Sequence, residues 1–278
     1  MTVPQKELAV IIKTCDNFSD VWRPFFILFD KFWPDCPWPI YLISETQVFA
    51  HPKVITLNTG TDCEWSAMMI HALGQIETPN ILFLLEDYFL NKPVSSEEIT
   101  RLLEALKNDG ASCLRLYPTI SMELKPSNSE YFGVIDNREE YLVSTQASIW
   151  KKEELLSLLV PTENVWDFER NASVRARNKQ VRFCSVWLNT ASDKIDEGNY
   201  PFRYLFLTSI TRGKWTMKTV DYCKKNAVFL DLSVRKANSY LDEYYMRNSP
   251  NWTKHLIDFV NCRMKKYFGI DLRTYPLA

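Results

Sequence analysis

The chain has 278 residues, 46% hydrophobic and 24% charged, enough to bury a sizeable core in one large domain or in a domain with an appendage. Its net charge of −1 gives no global attraction for nucleic acid, and no stretch has the length of a transmembrane helix. Seven scattered cysteines without a C-x-x-C pair argue for reduced thiols, and the N-terminal apolar run, broken by Lys13 and Asp16, is too short for a signal peptide, so the expected compartment is the cytoplasm.

The first element is a buried strand, LAVIIKT (8–14). Asn17 or Ser19 then caps a helix whose apolar residues, from Phe18 to Trp33, recur at i, i+3, i+4 and i+7 until Pro34 ends it. IYLISE (40–45) and VITLN (54–58) read as two more strands, and the spacing of Trp65, Met68, Met69, Ala72, Leu73 and Ile76 predicts a second helix. ILFLLEDYFL (81–90) follows as a buried strand that runs into Glu86 and Asp87. Ser95 and Glu98 form a capping box for a helix that Gly110 stops, and SCLRLYP (112–118) is a further strand. Alternation of strand and helix over 118 residues predicts an α/β layer with a mostly parallel sheet flanked by helices.

Beyond that point the pattern loosens. Residues 119–138 read as polar and irregular, LVSTQASIW (142–150) as a strand, 151–159 as a helix and VRFCSVWL (181–188) as a strand. From Lys214 onward the chain reads as mainly helical, with Trp252, Leu256, Phe259, Val260, Met264 and Phe268 on one face. Residues 210–278 carry 13 Lys+Arg against 6 Asp+Glu, so this part is basic and the rest acidic. Such a segment either meets phosphates or an anionic membrane surface, or is a solvated helical face. The expected organisation is an α/β domain over 1–209, in halves 1–118 and 119–209, with a basic helical extension over 210–278.

Four stretches carry chemistry-bearing residues. Glu86 and Asp87 end a buried strand, where ligands of open α/β sheets bind; such a pair either holds a hard cation or caps backbone N–H groups. In ENVWDFER (163–170), Glu163, Asp167 and Glu169 surround Trp166 and Phe168. An aromatic ring suits the C–H face of a sugar, and a carboxylate beside it suits a base, although acids also favour a helix N-terminus. Gln146 and Trp150 lie on a strand-to-helix junction, and Arg212 and Lys214 in TRGKW flank a glycine as a phosphate clamp would. The three histidines have no G-x-S-x-G partner, and there is no G-x-G-x-x-G or P-loop, which argues against Ser/His hydrolases, classical dehydrogenases and P-loop kinases.

In their order, TCDN, LLEDYFL, STQASIW, ENVWDFE and RGKW, the segments resemble those of bacterial GT-A-type glycosyltransferases that assemble capsule, O-antigen or lipopolysaccharide sugars. The resemblance implies a GT-A-like, Rossmann-like fold with a nucleotide-binding half and an acceptor half. It places Thr14, Cys15 and Asp16 at the nucleoside of a UDP-sugar, with Arg212 and Lys214 at its diphosphate. It makes Glu86-Asp87-Tyr88 the acidic motif, with Tyr88 where a second Asp usually stands, and Mn²⁺ or Mg²⁺ on Asp87 and Glu86. It places Gln146, Trp150 and Trp166 at a glycan or lipid-linked acceptor, and Asp167 or Glu169 as the base of an inverting reaction, with Asp167 preferred because it follows Trp166. Peripheral contact with the inner membrane face, through the basic extension, goes with such an acceptor. A retaining transferase, or a carbohydrate- or nucleotide-binding protein without activity, are the alternative readings.

Overall fold

In the computed structural model, which describes residues 6–61, 63–118, 122–187, 200–205 and 208–240, nine strands form one sheet. The elements run β1 (Leu8–Lys13), α1 (Ser19–Phe32), β2 (Ile40–Ser44), β3 (Val54–Asn58), α2 (Trp65–Gly74), β4 (Asn80–Leu85), α3 (Ser96–Asp109) and β5 (Cys113–Arg115). They continue as β6 (Leu124–Lys125), β7 (Phe132–Ile135), β8 (Ser148–Lys151), α4 (Lys152–Leu158), α5 (Val165–Asn178) and β9 (Phe183–Val186). A two-stranded hairpin, β10 (Ile210–Thr211) and β11 (Lys214–Trp215), and helix α6 (Met217–Lys225) complete the described chain.

The sheet order is β3-β2-β1-β4-β8-β5-β9-β7-β6. All strands point one way except β8, antiparallel to β4 and β5, and β7, antiparallel to β9 and β6. The expected α/β layer with a mostly parallel sheet is therefore what the chain forms. Both faces are covered, as the continuous apolar runs require. Leu8, Val10 and Ile12 of β1 pack with Trp22, Phe25 and Phe29 of α1 and Leu102 and Leu106 of α3. Ala9 and Ile11 pack instead with Met69 and Leu73 of α2, Leu155 of α4 and Phe168 and Ala172 of α5. The Ser95 hydroxyl accepts the Glu98 amide at 3.2 Å, and Gly110 closes α3 with φ of 71°, so the start and stop residues of this helix act as expected.

Two local expectations change. The strand expected over 142–150 shrinks to β8, because its first half is drawn off the sheet by α5: the Val143 amide bonds Ser173 Oγ at 2.9 Å and the Thr145 amide bonds Glu169 Oε1 at 2.6 Å. The stretch read as irregular contains β6 and β7. It holds a glycine at Gly133, where an added Cβ would stand 2.6 Å from the Trp187 ring and 2.8 Å from Leu124 Cβ. Gly133→Ala is therefore expected to cost about 1–3 kcal/mol, read as a lower midpoint in urea unfolding. Beyond Lys214 the described residues hold helix α6, then turns and coil to residue 239, and the rest of the stretch read as mainly helical lies outside them. The helical face expected from Trp252 to Phe268, and Leu188 at the end of the 181–188 strand, lie outside the described residues.

The part from 210 to 240 packs on the sheet domain. Trp215 lies against Phe89 with ring centres 5.9 Å apart, and the Tyr222 hydroxyl donates to the Leu90 carbonyl at 2.9 Å. Arg235 forks onto Asp20 of α1 with two contacts of 2.8 Å.

Candidate functional site

The chain progresses from β1 through β2 to β3 on one side and returns to β4 on the other side of β1, so the strand order reverses between β1 and β4. A crevice outside the carboxyl ends of the strands opens at such a switch point. Lys13 is in register with Leu85, so Thr14–Asp16 and Glu86–Tyr88 leave the sheet side by side.

Their roles differ. Thr14 Oγ1 accepts the Trp22 indole N–H at 2.8 Å and is nearly buried. The Asp16 carboxylate receives the Thr46 hydroxyl at 2.6 Å and the amides of Thr46, Gln47 and Glu45 at 3.1–3.2 Å. Burial pulls against ionisation there, but the Thr46 hydroxyl and these amides outweigh it and hold the carboxyl below its ordinary range. Asp16 thus ties the loop after β1 to the loop after β2. Burial, followed by the charges of Glu86 and Glu45, pushes the Cys15 thiol up and leaves it unreactive as a thiolate.

Glu86 is buried, and burial together with the adjacent Asp87 raises its carboxyl to about 8. Asp87 is raised by burial as well; its Oδ2 receives the Thr208 hydroxyl, while its Oδ1 is buried without a hydrogen-bond partner among the described residues. The next residue, Tyr88, stacks on Tyr204 at 4.4 Å, and Tyr204 stacks on Tyr117 at 4.5 Å. Among the described residues no three His, Cys, Asp or Glu side chains gather where an ion would sit. Asp87 Oδ2 is taken by Thr208, so a divalent cation on this pair would have to draw most of its oxygen ligands from elsewhere.

The β10–β11 hairpin reaches the same edge. Ser209 N donates to the Asp87 carbonyl at 2.9 Å, and the turn residues Arg212 and Gly213 have φ of 51° and 76°, as a two-residue type I′ turn requires. The Gly213 carbonyl accepts from Arg235, which also binds the Asn17 carbonyl, so the turn is fastened beside the loop after β1. Arg212 and Lys214 are exposed there.

On the other side of the edge stands α5, capped by Asn164, whose side chain accepts the Trp166 and Asp167 amides at 2.9 and 3.0 Å. Residues two apart on a helix point about 200° away from each other, so Asp167 and Glu169 cannot share a site. Asp167 lies outward, bonded to Asn164 Nδ2 at 2.6 Å and Arg170 Nη2 at 2.5 Å, as an ordinary first-turn acid. Glu169 turns toward the sheet edge: its Oε1 takes both the amide and the hydroxyl of Thr145, at 2.6 and 2.9 Å, and its charge is felt by Tyr88 and Arg115. Of the two acids named as base by the resemblance, Asp167 is thus on the outer side of α5 and Glu169 at the sheet edge. Glu163 is spent on Arg175, at 2.6 Å, and on Asn171.

Trp150 needs a correction. It is buried in the core against Phe183, 5.4 Å between ring centres, with its indole N–H on Ser148 Oγ. Because β8 runs backwards, Trp150 pairs with Ile81 near the start of β4, at the end of the sheet away from Glu86. It cannot touch an acceptor there. Gln146, just before β8, is at the carboxyl edge, and its buried Oε1 has no partner among the described residues. Trp166 is 71% exposed on the first turn of α5.

Two cations escaped the sequence reading. Lys13 ends an apolar strand and Arg115 sits inside one, and a charge interrupting an apolar run is the signal that had drawn attention to Glu86. Arg115 is buried, donates to the Tyr141 and Leu142 carbonyls, and is lowered by burial against the favourable charges of Cys113 and Glu169.

No protein-family model matches the sequence, and no curated protein matches it. Solved structures do resemble the chain. S. aureus TarS 1-349 in complex with UDP-GlcNAc is 16% identical over 65% of this chain and 56% of that one, with a TM-score of 0.46. A nucleotidyl transferase from Methanothermobacter thermautotroptrophicus (Mth528) is 12% identical over 65% of this chain and 86% of that one, with a TM-score of 0.42. The bifunctional IspDF from Campylobacter jejuni is 16% identical over 70% and 55%, with a TM-score of 0.39. The chain spans little more than half of the TarS 1-349 structure it matches. No described helix is long and apolar enough to cross a membrane.

Proposed function

We propose that this chain is a glycosyltransferase that moves a sugar from a nucleoside-diphosphate sugar to a hydroxyl of a glycan or lipid-linked glycan, with inversion. The observation that carries the reading is the convergence, at one switch-point edge, of two separate polar groups. Thr14, Glu86 and Asp87 line one side, and Glu169 is anchored from the other by Thr145.

Glu169 fits the base. Oε1 is held by Thr145, which aims the carboxylate, and Oε2 is left to accept a proton. The acceptor hydroxyl gives its proton to Oε2 while its oxygen bonds the anomeric carbon. The bond from that carbon to the diphosphate oxygen breaks, and the nucleoside diphosphate leaves with the electron pair. Arg212 and Lys214, on the fastened turn, are the exposed cations that offset its charge. Trp166 offers an open ring to the acceptor sugar.

The uridine base, the role in capsule or lipopolysaccharide assembly and the contact with the inner membrane face follow from the motif resemblance and from the basic extension, of which 241–278 lie outside the described residues. The test is thermal unfolding with UDP, GDP, CDP and TDP and their sugars. A rise of several degrees with one nucleotide is expected at saturating concentration. No shift with any of them sinks the reading, and binding without transfer or slow donor hydrolysis leaves a carbohydrate- or nucleotide-binding protein.

A further inference from the structure

Lys13 is 3% exposed, at the last position of β1. Its ammonium curls over the strand end to the Thr14 carbonyl, which is its one hydrogen-bond acceptor among the described residues. An ammonium has three donors, and burying it with one acceptor is costly unless an anion completes the shell. The neighbouring carboxyls do not do so: Glu86, Glu45 and the thiols of Cys15 and Cys63 act on it through space, yet no ion pair within 4 Å joins Lys13 to any described carboxylate. The charge stands where the strand order reverses, beside the stretch that leads into Glu86 and Asp87.

We propose that Lys13 is the resident counter-cation of the donor diphosphate, doing at the switch point what a divalent metal ion would otherwise do. This rests on the glycosyltransferase reading and deepens it. An ammonium fixed at the strand end supplies the positive charge and the two unused donors to phosphate oxygens. The carboxyl pair beside it then has no ion to hold, and Asp87 is bonded by Thr208.

The experiment is calorimetric titration of the full chain with UDP and with uridine, in EDTA and in Mn²⁺, for the wild type, Lys13→Gln and Lys13→Met. The expected result is a UDP affinity within about twofold in the two buffers for the wild type. Both variants should lose about tenfold or more for UDP and keep their uridine affinity, which also shows that they are folded. Wild-type UDP binding that disappears in EDTA overturns the assignment without any variant, and so does a folded variant that binds UDP as the wild type does. Wild-type protein that binds no nucleotide in either buffer overturns the glycosyltransferase reading and this assignment with it.

Discussion

Replacing Glu169 with glutamine is expected to lower sugar transfer by about 10²–10⁴-fold while leaving donor affinity within about threefold, the range that loss of a positioned base gives. Glutamine keeps an oxygen at Oε1 for the Thr145 amide and hydroxyl, so the loop before β8 stays in place. Only the proton acceptor is lost. Asp167→Ala, by contrast, removes an acid already bonded to Asn164 and Arg170 on the outer side of α5, and is expected to change turnover by less than about fivefold. The pair of variants therefore separates a chemical role from a helix-capping one, measured as kcat with saturating donor and as donor Kd. If Glu169→Gln transfers at the wild-type rate, no base acts from this side and the retaining mechanism takes its place.

The second large effect is on stability and depends on pH. The Glu86 carboxyl stands at about 8 in the folded chain, raised by burial and then by Asp87, and near 4.5 when unfolded. Between these values the folded state keeps a proton that the unfolded state has lost, so stability falls as pH rises from about 4.5 to about 8. Glu86→Gln removes the proton and its penalty. The variant is expected to melt with the wild type near pH 4.5 and several degrees above it at pH 8, since the penalty is on the order of a few kcal/mol. A melting difference that does not grow with pH contradicts the burial of an ionising Glu86. Such a gain would mark Glu86 as a group kept at a cost to the fold, as functional groups often are.

The helix and strand periods made the first half of the sheet legible, because β1 and β4 are long apolar runs, β2 is nearly one, and α1 and α3 have clean stripes and stops. Glu86 and Asp87 stood out for the physical reason that two acids ended such a run. Lys13 and Arg115 carried the same kind of signal with the opposite sign, one at the end of a run and one within it. What local pattern cannot carry is strand direction. LVSTQASIW reads equally well in either sense, and only the insertion of β8 between β4 and β5 decides that Gln146 is at the site edge and Trp150 at the far one. Likewise, Asp167 and Glu169 are equivalent by composition, and separating them needs the position of Thr145, a residue more than twenty places earlier in the chain.

The reversed strand also bears on how the molecule comes into being. In chain order, both neighbours of β8, β4 and β5, are made before residues 148–151. Until β8 arrives, the ILFLL strand presents an open, apolar edge, the kind that recruits other chains. Within the first 118 residues β5 has none of its sheet partners, which are β8 and β9, so a chain that ends there is expected to be the more aggregation-prone species. The strand that covers this edge of β4 is also the one that Thr145 and Gln146 lead into, so one insertion both hides an apolar edge and sets these two residues at the carboxyl edge of the sheet.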